Sequence, residues 1–72
     1  MKLHEAMVKA IIDLGGGKQH MNDVADYINK HDLYQRKDGD SLLSTQVSAR
    51  VGRYSHLFSR GDGYIWLNDK FR

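Results

Sequence analysis

The chain has 72 residues, of which 40% are hydrophobic and 28% are charged, and its formal net charge at pH 7 is +2. A chain of this length is expected to form a single domain over residues 1–72, and it buries only about 60% of its unfolded surface, which excludes a catalytic cleft between two lobes. It has no cysteine, which excludes disulfides and suits a reducing cytoplasm, and no apolar run approaches the roughly 20 residues of a membrane span.

The first predicted element is a helix from about His4 to Leu14. Its apolar residues recur at helical spacing and share one face. That face comprises Leu3, Met7, Ala10, Ile11 and Leu14. Glu5 and Lys9 are predicted to form an ion pair on the polar side. Gly15–Gly17 are predicted to end the helix, because glycine adopts left-handed conformations without a steric penalty.

A short extended segment, Lys18–Met21, precedes a second predicted helix from Asp23 to about His31. Asn22 is a favourable N-cap residue, because its side-chain oxygen accepts a hydrogen bond from a free backbone N–H. The residues predicted to face inward are Val24, Ala25, Tyr27 and Ile28, with Leu33 closing the C-terminal end.

Residues 32–43 are longer than the turn of a minimal helix-turn-helix. Asp38-Gly39 signals a turn within this segment. Leu42 and Leu43 are predicted to begin a short helical lead-in that packs on the core, because two adjacent leucines in a solvated loop would waste apolar surface. A long turn without a lead-in is the alternative.

The third predicted helix runs from an N-cap at Ser44 to about Ser55 and has an unusual outer face. Its inward residues are Val47, Val51 and Tyr54, and its outward residues are Thr45, Gln46, Ala49, Gly52 and Arg53, with Arg50 on the flank. An exposed helix normally carries Glu and Lys, whereas residues 44–61 contain arginines and no carboxylate. Small residues permit close approach to the floor of a DNA groove, and Gln and Arg donate hydrogen bonds to base edges.

Two strands, Leu57–Arg60 and Tyr64–Leu67, predict a C-terminal β-hairpin with its turn at Gly61–Gly63. Alternation places Ile65 and Leu67 in the core and Tyr64 and Trp66 on the outer face. In the alternative register these two faces are exchanged.

The two phenylalanines of the chain are assigned to the hydrophobic core (Phe58) and to its bottom edge (Phe71).

When the predicted helices and strands are labelled in chain order, they follow the order α1-β1-α2-α3-β2-β3, which predicts an α+β fold. This fold is a small winged helix-turn-helix, in which three helices are completed by a C-terminal β-hairpin wing.

These elements also carry a family resemblance over residues 3–68. The matching residues are Glu5-Ala6, Ile28, Leu33, Ser44, Gln46-Val47, Ala49-Arg50-Val51, Tyr54, Leu57-Phe58, Gly63 and Leu67. With them the chain resembles the HARE helix-turn-helix domain, a winged helix attached to restriction endonucleases and present in chromatin proteins and in the delta subunit of bacterial RNA polymerase. Many members carry a Thr-Pro step before the third helix, whereas this chain has Asp40–Ser44 there and no proline.

The resemblance implies a DNA-associated role in transcription or in a restriction-modification system, including recruitment to modified DNA. The delta-subunit version acts through protein contacts, so the fold alone does not determine the ligand. Duplex DNA is therefore the expected partner, with a protein partner or a fused enzyme domain as a further expectation and no membrane.

The residues predicted to contact DNA are Ser44, Thr45, Gln46, Ala49, Arg50, Arg53 and Arg60. Arg53 faces outward, where it binds phosphate or guanine or is simply solvated. For Arg50 the alternative to DNA contact is an ion pair with Asp23 or Asp26 of the second helix. Residues at the helix start reach phosphate through side chains and free N–H groups, or serve only as caps. The wing arginine contacts a DNA backbone or is solvated.

Tyr64 and Trp66 on the outer face of the wing predict an alternative function, a protein-docking winged helix that does not bind DNA directly, since an outward tryptophan often marks an interface. Neither function requires a cofactor.

No motif indicates an enzyme or a metal site. The histidines His4, His20, His31 and His56 lack metal-ligand spacing, and no phosphate-binding loop occurs. The charged N-terminus does not resemble a secretory signal. The sequence therefore predicts a binding module without catalytic residues, metal or cofactor.

Overall fold

The computed structural model describes residues 1–68 and contains three helices and three strands. The helices are α1 (Leu3–Asp13), α2 (Met21–Lys30) and α3 (Ser44–Arg53), and the strands are β1 (Gln19–His20), β2 (Phe58–Gly61) and β3 (Tyr64–Leu67). The strands form an antiparallel sheet with β3 in the centre, between β1 and β2. This is the predicted α+β architecture of a small winged helix. Phe71, predicted to cover the bottom edge, lies outside the described residues.

One apolar core joins all three helices to the hairpin. Its buried residues are Leu3, Ala6, Met7, Ala10, Ile11, Val24, Ala25, Ile28, Leu42, Val47, Val51, Phe58, Ile65 and Leu67. The predicted alternation along β3 is confirmed, because Ile65 is 0% exposed whereas Tyr64 is 44% exposed. The alternative register is therefore wrong.

Both predicted N-caps are wrong by one or two residues. α2 is capped by His20, whose Nδ1 accepts a hydrogen bond from the N–H of Asn22 at 3.1 Å. His20 also pairs with Tyr64 in the sheet, so the strand leads directly into the helix. α3 begins at Ser44 itself, and Gln46 Oε1 accepts a hydrogen bond from the N–H of Leu43 at 3.0 Å.

The loop between α2 and α3 contains no helical lead-in, so that prediction is wrong. Residues 33–43 lack helix, and only one of the two leucines packs on the core: Leu42 is 4% exposed and Leu43 56%. Asn29 of α2 holds the loop in place. Its Nδ2 donates to the carbonyl of Leu42 at 2.9 Å, and its Oδ1 accepts from the N–H of Leu42 at 2.8 Å.

We expect Asn29→Ala to lower the free energy of unfolding by about 2 kcal/mol, because a part-buried N–H and a carbonyl lose their partners and each unsatisfied group costs about 1–3 kcal/mol. Urea denaturation measures the change. Asn22→Ala is the matched control, since Asn22 is exposed at the start of the same helix. Equal losses of unfolding free energy in the two variants would contradict the conclusion that Asn29 holds the loop through its hydrogen bonds to Leu42.

The hairpin turn is shorter than predicted. Gly61 pairs with Tyr64, which leaves Asp62 and Gly63 as the loop. Both have positive φ, 53° and 84°, as a type I′ turn requires. Glycine also suits position 63 for a second reason: a Cβ there would lie 3.1 Å from Nε2 of His20, so the imidazole ring would have to shift by a few tenths of an ångström.

A surface network joins α1 to α2. The predicted Glu5–Lys9 pair is wrong: Lys9 Nζ lies 3.0 Å from Asp13 Oδ2, and Glu5 accepts from the backbone N–H of Lys2. Tyr27 Oη donates to the same Asp13 oxygen at 2.6 Å. The hydrogen bond from Tyr27, followed by that from Lys9, lowers the pKa of Asp13 below its ordinary value of 3.8.

We expect Tyr27→Phe to raise the pKa of Asp13 toward 3.8, because the largest cause of its lowering is removed. A lowered folded-state pKa stabilises the protein above the unfolded-state pKa, and this contribution disappears as pH falls through the lowered value. The free energy of unfolding of the variant should therefore depend less on pH in the acid range. Carboxyl NMR titration measures the pKa, with Tyr64→Phe as control. An unchanged Asp13 titration in Tyr27→Phe would contradict the network.

Candidate nucleic-acid interface

The outer ridge of α3 consists of small side chains. Thr45, Ala49 and Gly52 are all exposed, as the helical periodicity predicts. A Cβ at Gly52 would meet no atom within 4 Å, so packing within the described residues does not require glycine there. The ridge therefore allows another molecule to approach the helix backbone closely.

The wing lies along one side of this ridge. Arg60 of β2 donates through Nη1 to the carbonyl of Ser48 at 2.9 Å and to Ser48 Oγ at 3.0 Å. The sequence predicts that Arg60 contacts DNA from the wing. In the structure, one of its nitrogens fastens the wing to the middle of α3.

A groove borders the other side of the ridge, between α3 and the start of α1. One depression is lined by Leu3, Tyr34, Gln46, Ala49, Arg50 and Arg53. A second is lined by Lys2, Leu3, His4, Tyr34, Arg50 and Tyr54. Because the two depressions share Leu3, Tyr34 and Arg50, they adjoin, and together they are called the α1–α3 groove.

The groove is cationic. Arg50 does not pair with Asp23 or Asp26, as one interpretation of the sequence expects; those aspartates line a different depression, beside Lys30. Within residues 1–68, the ion pairs are Lys9–Asp13 and Arg36–Asp38, and neither Arg50 nor Arg53 has a carboxylate partner. Their guanidinium groups are therefore not neutralised by the described part of the protein.

The groove also has an aromatic and apolar surface. The rings of His4 and Tyr54 stack with their centroids 4.2 Å apart and an interplanar angle of 17°. Tyr34, which lines both depressions, is half-buried, and Leu3, which also lines both, is 5% exposed. Flat rings and an apolar floor beside cations match the alternation of sugars and phosphates in a nucleic-acid strand.

The structure brings most of the predicted DNA-contacting residues to one surface. Thr45, Ala49 and Arg53 are exposed on it, whereas Ser44 and Gln46 are half-buried. Gln46 uses its side-chain oxygen for the helix cap, which leaves the two N–H groups of its amide nitrogen as donors beside the groove.

Sequence reasoning did not identify Lys2, His4 and Tyr34 as part of this surface. No motif links them to α3, because they are separated from it along the chain and meet it only through packing. The single local signal is Leu3, which extends the apolar face of α1 to its first turn and so brings the start of α1 against α3.

The outer face of the wing is partly covered. Tyr64 is exposed, but Trp66 is only half-exposed, and Lys18 Nζ lies 4.6 Å from its ring centroid. His20 meets the Tyr64 ring edge-on at 5.3 Å. The predicted direction of both aromatic residues is confirmed, although the tryptophan presents less free surface than alternation alone suggests.

Residues 1–68 contain neither a metal-ligand cluster nor a membrane-spanning helix. That part of the chain contains no group of three or more His, Cys, Asp or Glu residues placed to hold a metal ion. None of its helices combines the length and the hydropathy needed to cross a bilayer.

Comparison with protein-family models, curated proteins and solved structures gave no match. Three features of the described residues therefore bear on function. They are the small outer ridge of α3, the two arginines on its flank without a carboxylate partner among residues 1–68, and the groove beside them.

Proposed function

We propose that the protein is a DNA-binding winged-helix module that inserts α3 into the major groove of duplex DNA and rests its wing on the adjacent backbone. The observation that carries this proposal is the surface of α3, where small exposed residues lie next to Arg50 and Arg53, neither of which has a carboxylate partner among residues 1–68. Two cations without a described carboxylate beside such a ridge are available to phosphate.

The dimensions of the major groove favour this placement. The groove is about 12 Å wide and admits an α-helix whose side chains reach base edges. Thr45 and the amide nitrogen of Gln46 supply hydrogen-bonding groups near the start of α3, and Arg53 supplies a charged donor about two turns later. The Arg60–Ser48 contact supports the proposal, because it holds the wing at a set position relative to the helix.

The resemblance to HARE domains extends the proposal to a biological role. We propose that the module brings a larger partner to DNA, either a fused or associated DNA-modifying or restriction enzyme or a component of the bacterial transcription machinery. A domain of this size offers few base contacts, so its specificity would depend on that partner or on dimerisation.

Fluorescence anisotropy of a labelled duplex, titrated with the protein at several salt concentrations, tests the proposal. Three to six phosphate contacts predict an affinity that falls log-linearly with salt, with a slope of about −0.9 per contact. Arg53→Ala should weaken binding and reduce the slope by about 0.9. Lys30→Ala is the control, because Lys30 is an exposed cation in the last turn of α2, away from α3. No binding at low salt, or equal effects of the two variants, would contradict the proposal.

The second candidate is protein docking through Tyr64 and Trp66, favoured by the 44% exposure of Tyr64 beside a half-exposed tryptophan. Under this proposal the domain does not bind duplex DNA even at low salt. Its Trp66 fluorescence would shift on addition of the partner and not on addition of DNA.

A further inference from the structure

We infer that the α1–α3 groove binds the phosphodiester backbone of one DNA strand, the strand that borders the major groove on the side of α3 away from the wing. This inference rests on the proposed function and adds to it a second backbone contact, in which Lys2 at the start of α1 and Tyr34 of the α2–α3 loop act together with Arg50 of α3.

The position of the groove relative to the wing is the first argument. Ser48, which holds the wing arginine, and Arg53 are separated by roughly 140° around the helix axis, at about 100° per residue. The outer ridge lies between them. A helix in the major groove has one strand's backbone on each side, so the wing is placed for one strand and the α1–α3 groove for the other.

The second argument is charge. Lys2, Arg50 and Arg53 line the groove, and no carboxylate of residues 1–68 does. The nearest acid in sequence, Glu5, accepts a hydrogen bond from the backbone N–H of Lys2. By contrast, the depression beside Lys30 contains Asp23 and Asp26, and a further one in the α2–α3 loop also contains two aspartates. Of these surfaces, the α1–α3 groove is the one that attracts rather than repels phosphate.

The third argument is the floor of the groove. Leu3, Tyr34 and Arg50 line both depressions, whereas Lys2 lines only one of them and Arg53 only the other. An apolar floor with donors along its length suits a chain in which apolar deoxyribose faces alternate with phosphates. It suits an isolated phosphate ion less well, because such an ion gains nothing from the rings.

The test compares the salt dependence of duplex binding in charge-neutralised variants. Lys2→Gln and Arg50→Gln should each reduce the magnitude of the salt slope by about 0.9, and the double variant by about twice that amount. Lys30→Gln should leave the slope unchanged. Tyr34→Ala should weaken binding without changing the slope, and Tyr34→Phe should retain the affinity because the ring remains. Circular dichroism of each variant establishes that it is folded.

Amide chemical-shift mapping of the wild-type protein with the same duplex gives an independent readout. We expect perturbations around Lys2, Tyr34 and Arg50 as well as along the outer ridge of α3. Perturbations limited to the ridge and the wing would overturn the inference.

The outcomes separate the inference from the proposed function. Duplex binding that depends on Arg53 but is insensitive to Lys2→Gln and Arg50→Gln would overturn the groove assignment and leave the proposed function intact. Absence of duplex binding by the wild type would overturn both. A poly-glutamate peptide that displaces the duplex and perturbs the same groove amides at equal affinity would assign the groove to an acidic protein segment instead.

Discussion

Replacing Phe58 with alanine is expected to leave the domain largely unfolded at 25 °C. Phe58 is 2% exposed and is the largest of the fully buried side chains. It begins β2 opposite Leu67 and packs in the core formed by the helices and the sheet. Truncation of a buried phenylalanine costs about 3–5 kcal/mol, which is about all that the core of so small a domain supplies.

Thermal unfolding followed by circular dichroism, with amide NMR dispersion at 25 °C, measures this effect. Tyr64→Ala is the control, because it removes an aromatic ring of similar size from an exposed position on the neighbouring strand. A Phe58→Ala protein that melts cooperatively within a few degrees of the wild type would show that the core does not depend on this ring.

Reversing the charge of Arg53 is expected to lower the affinity for duplex DNA about 30-fold at low salt. A unit charge about 4 Å from a phosphate contributes about 1 kcal/mol in water, so changing attraction into repulsion costs about 2 kcal/mol. A difference of about 1.4 kcal/mol corresponds to a factor of ten in affinity. Arg53 is exposed and without an ion-pair partner among residues 1–68, so Arg53→Glu should leave the fold intact.

Lys30→Glu provides the matched control for this reversal. It makes the same change in net charge, also at an exposed position in the last turn of a helix, but away from α3. Similar losses of affinity in the two variants would mean that DNA responds only to total charge, and α3 would then not be the binding element. The difference should shrink as salt rises, because exposed charges are screened.

Local periodicity was sufficient to predict buried residues in the elements that bury one face. The apolar spacing of α1 predicts its buried residues Leu3, Met7, Ala10 and Ile11, and alternation along β3 predicts the burial of Ile65 and Leu67. Such predictions succeed because a side chain's direction follows from its position in a helix or strand, and burial of apolar surface then selects the face.

The caps and the long loop show where local reasoning failed. Asn22 and Ser44 have good capping side chains, yet the sheet pairing of His20 and the back-bonding of Gln46 set the two helix starts instead. Leu42 is buried without any helix around it, because Asn29 satisfies its backbone polar groups from the neighbouring helix. In each case a partner distant in sequence, or a competing local bond, outweighed the intrinsic preference of the residue.

The candidate site likewise has one part that local sequence patterns predict and another that depends on contacts between distant segments. The fold class and the small, arginine-flanked outer face of α3 could be predicted from the sequence, since both follow from periodicity and from the absence of acids in residues 44–61. The bond from Arg60 to Ser48 and the meeting of Lys2 and Tyr34 with Arg50 in one groove are visible only in the folded protein. A groove is formed by segments far apart in the chain, so its lining depends on how the helices pack rather than on any pattern within one of them.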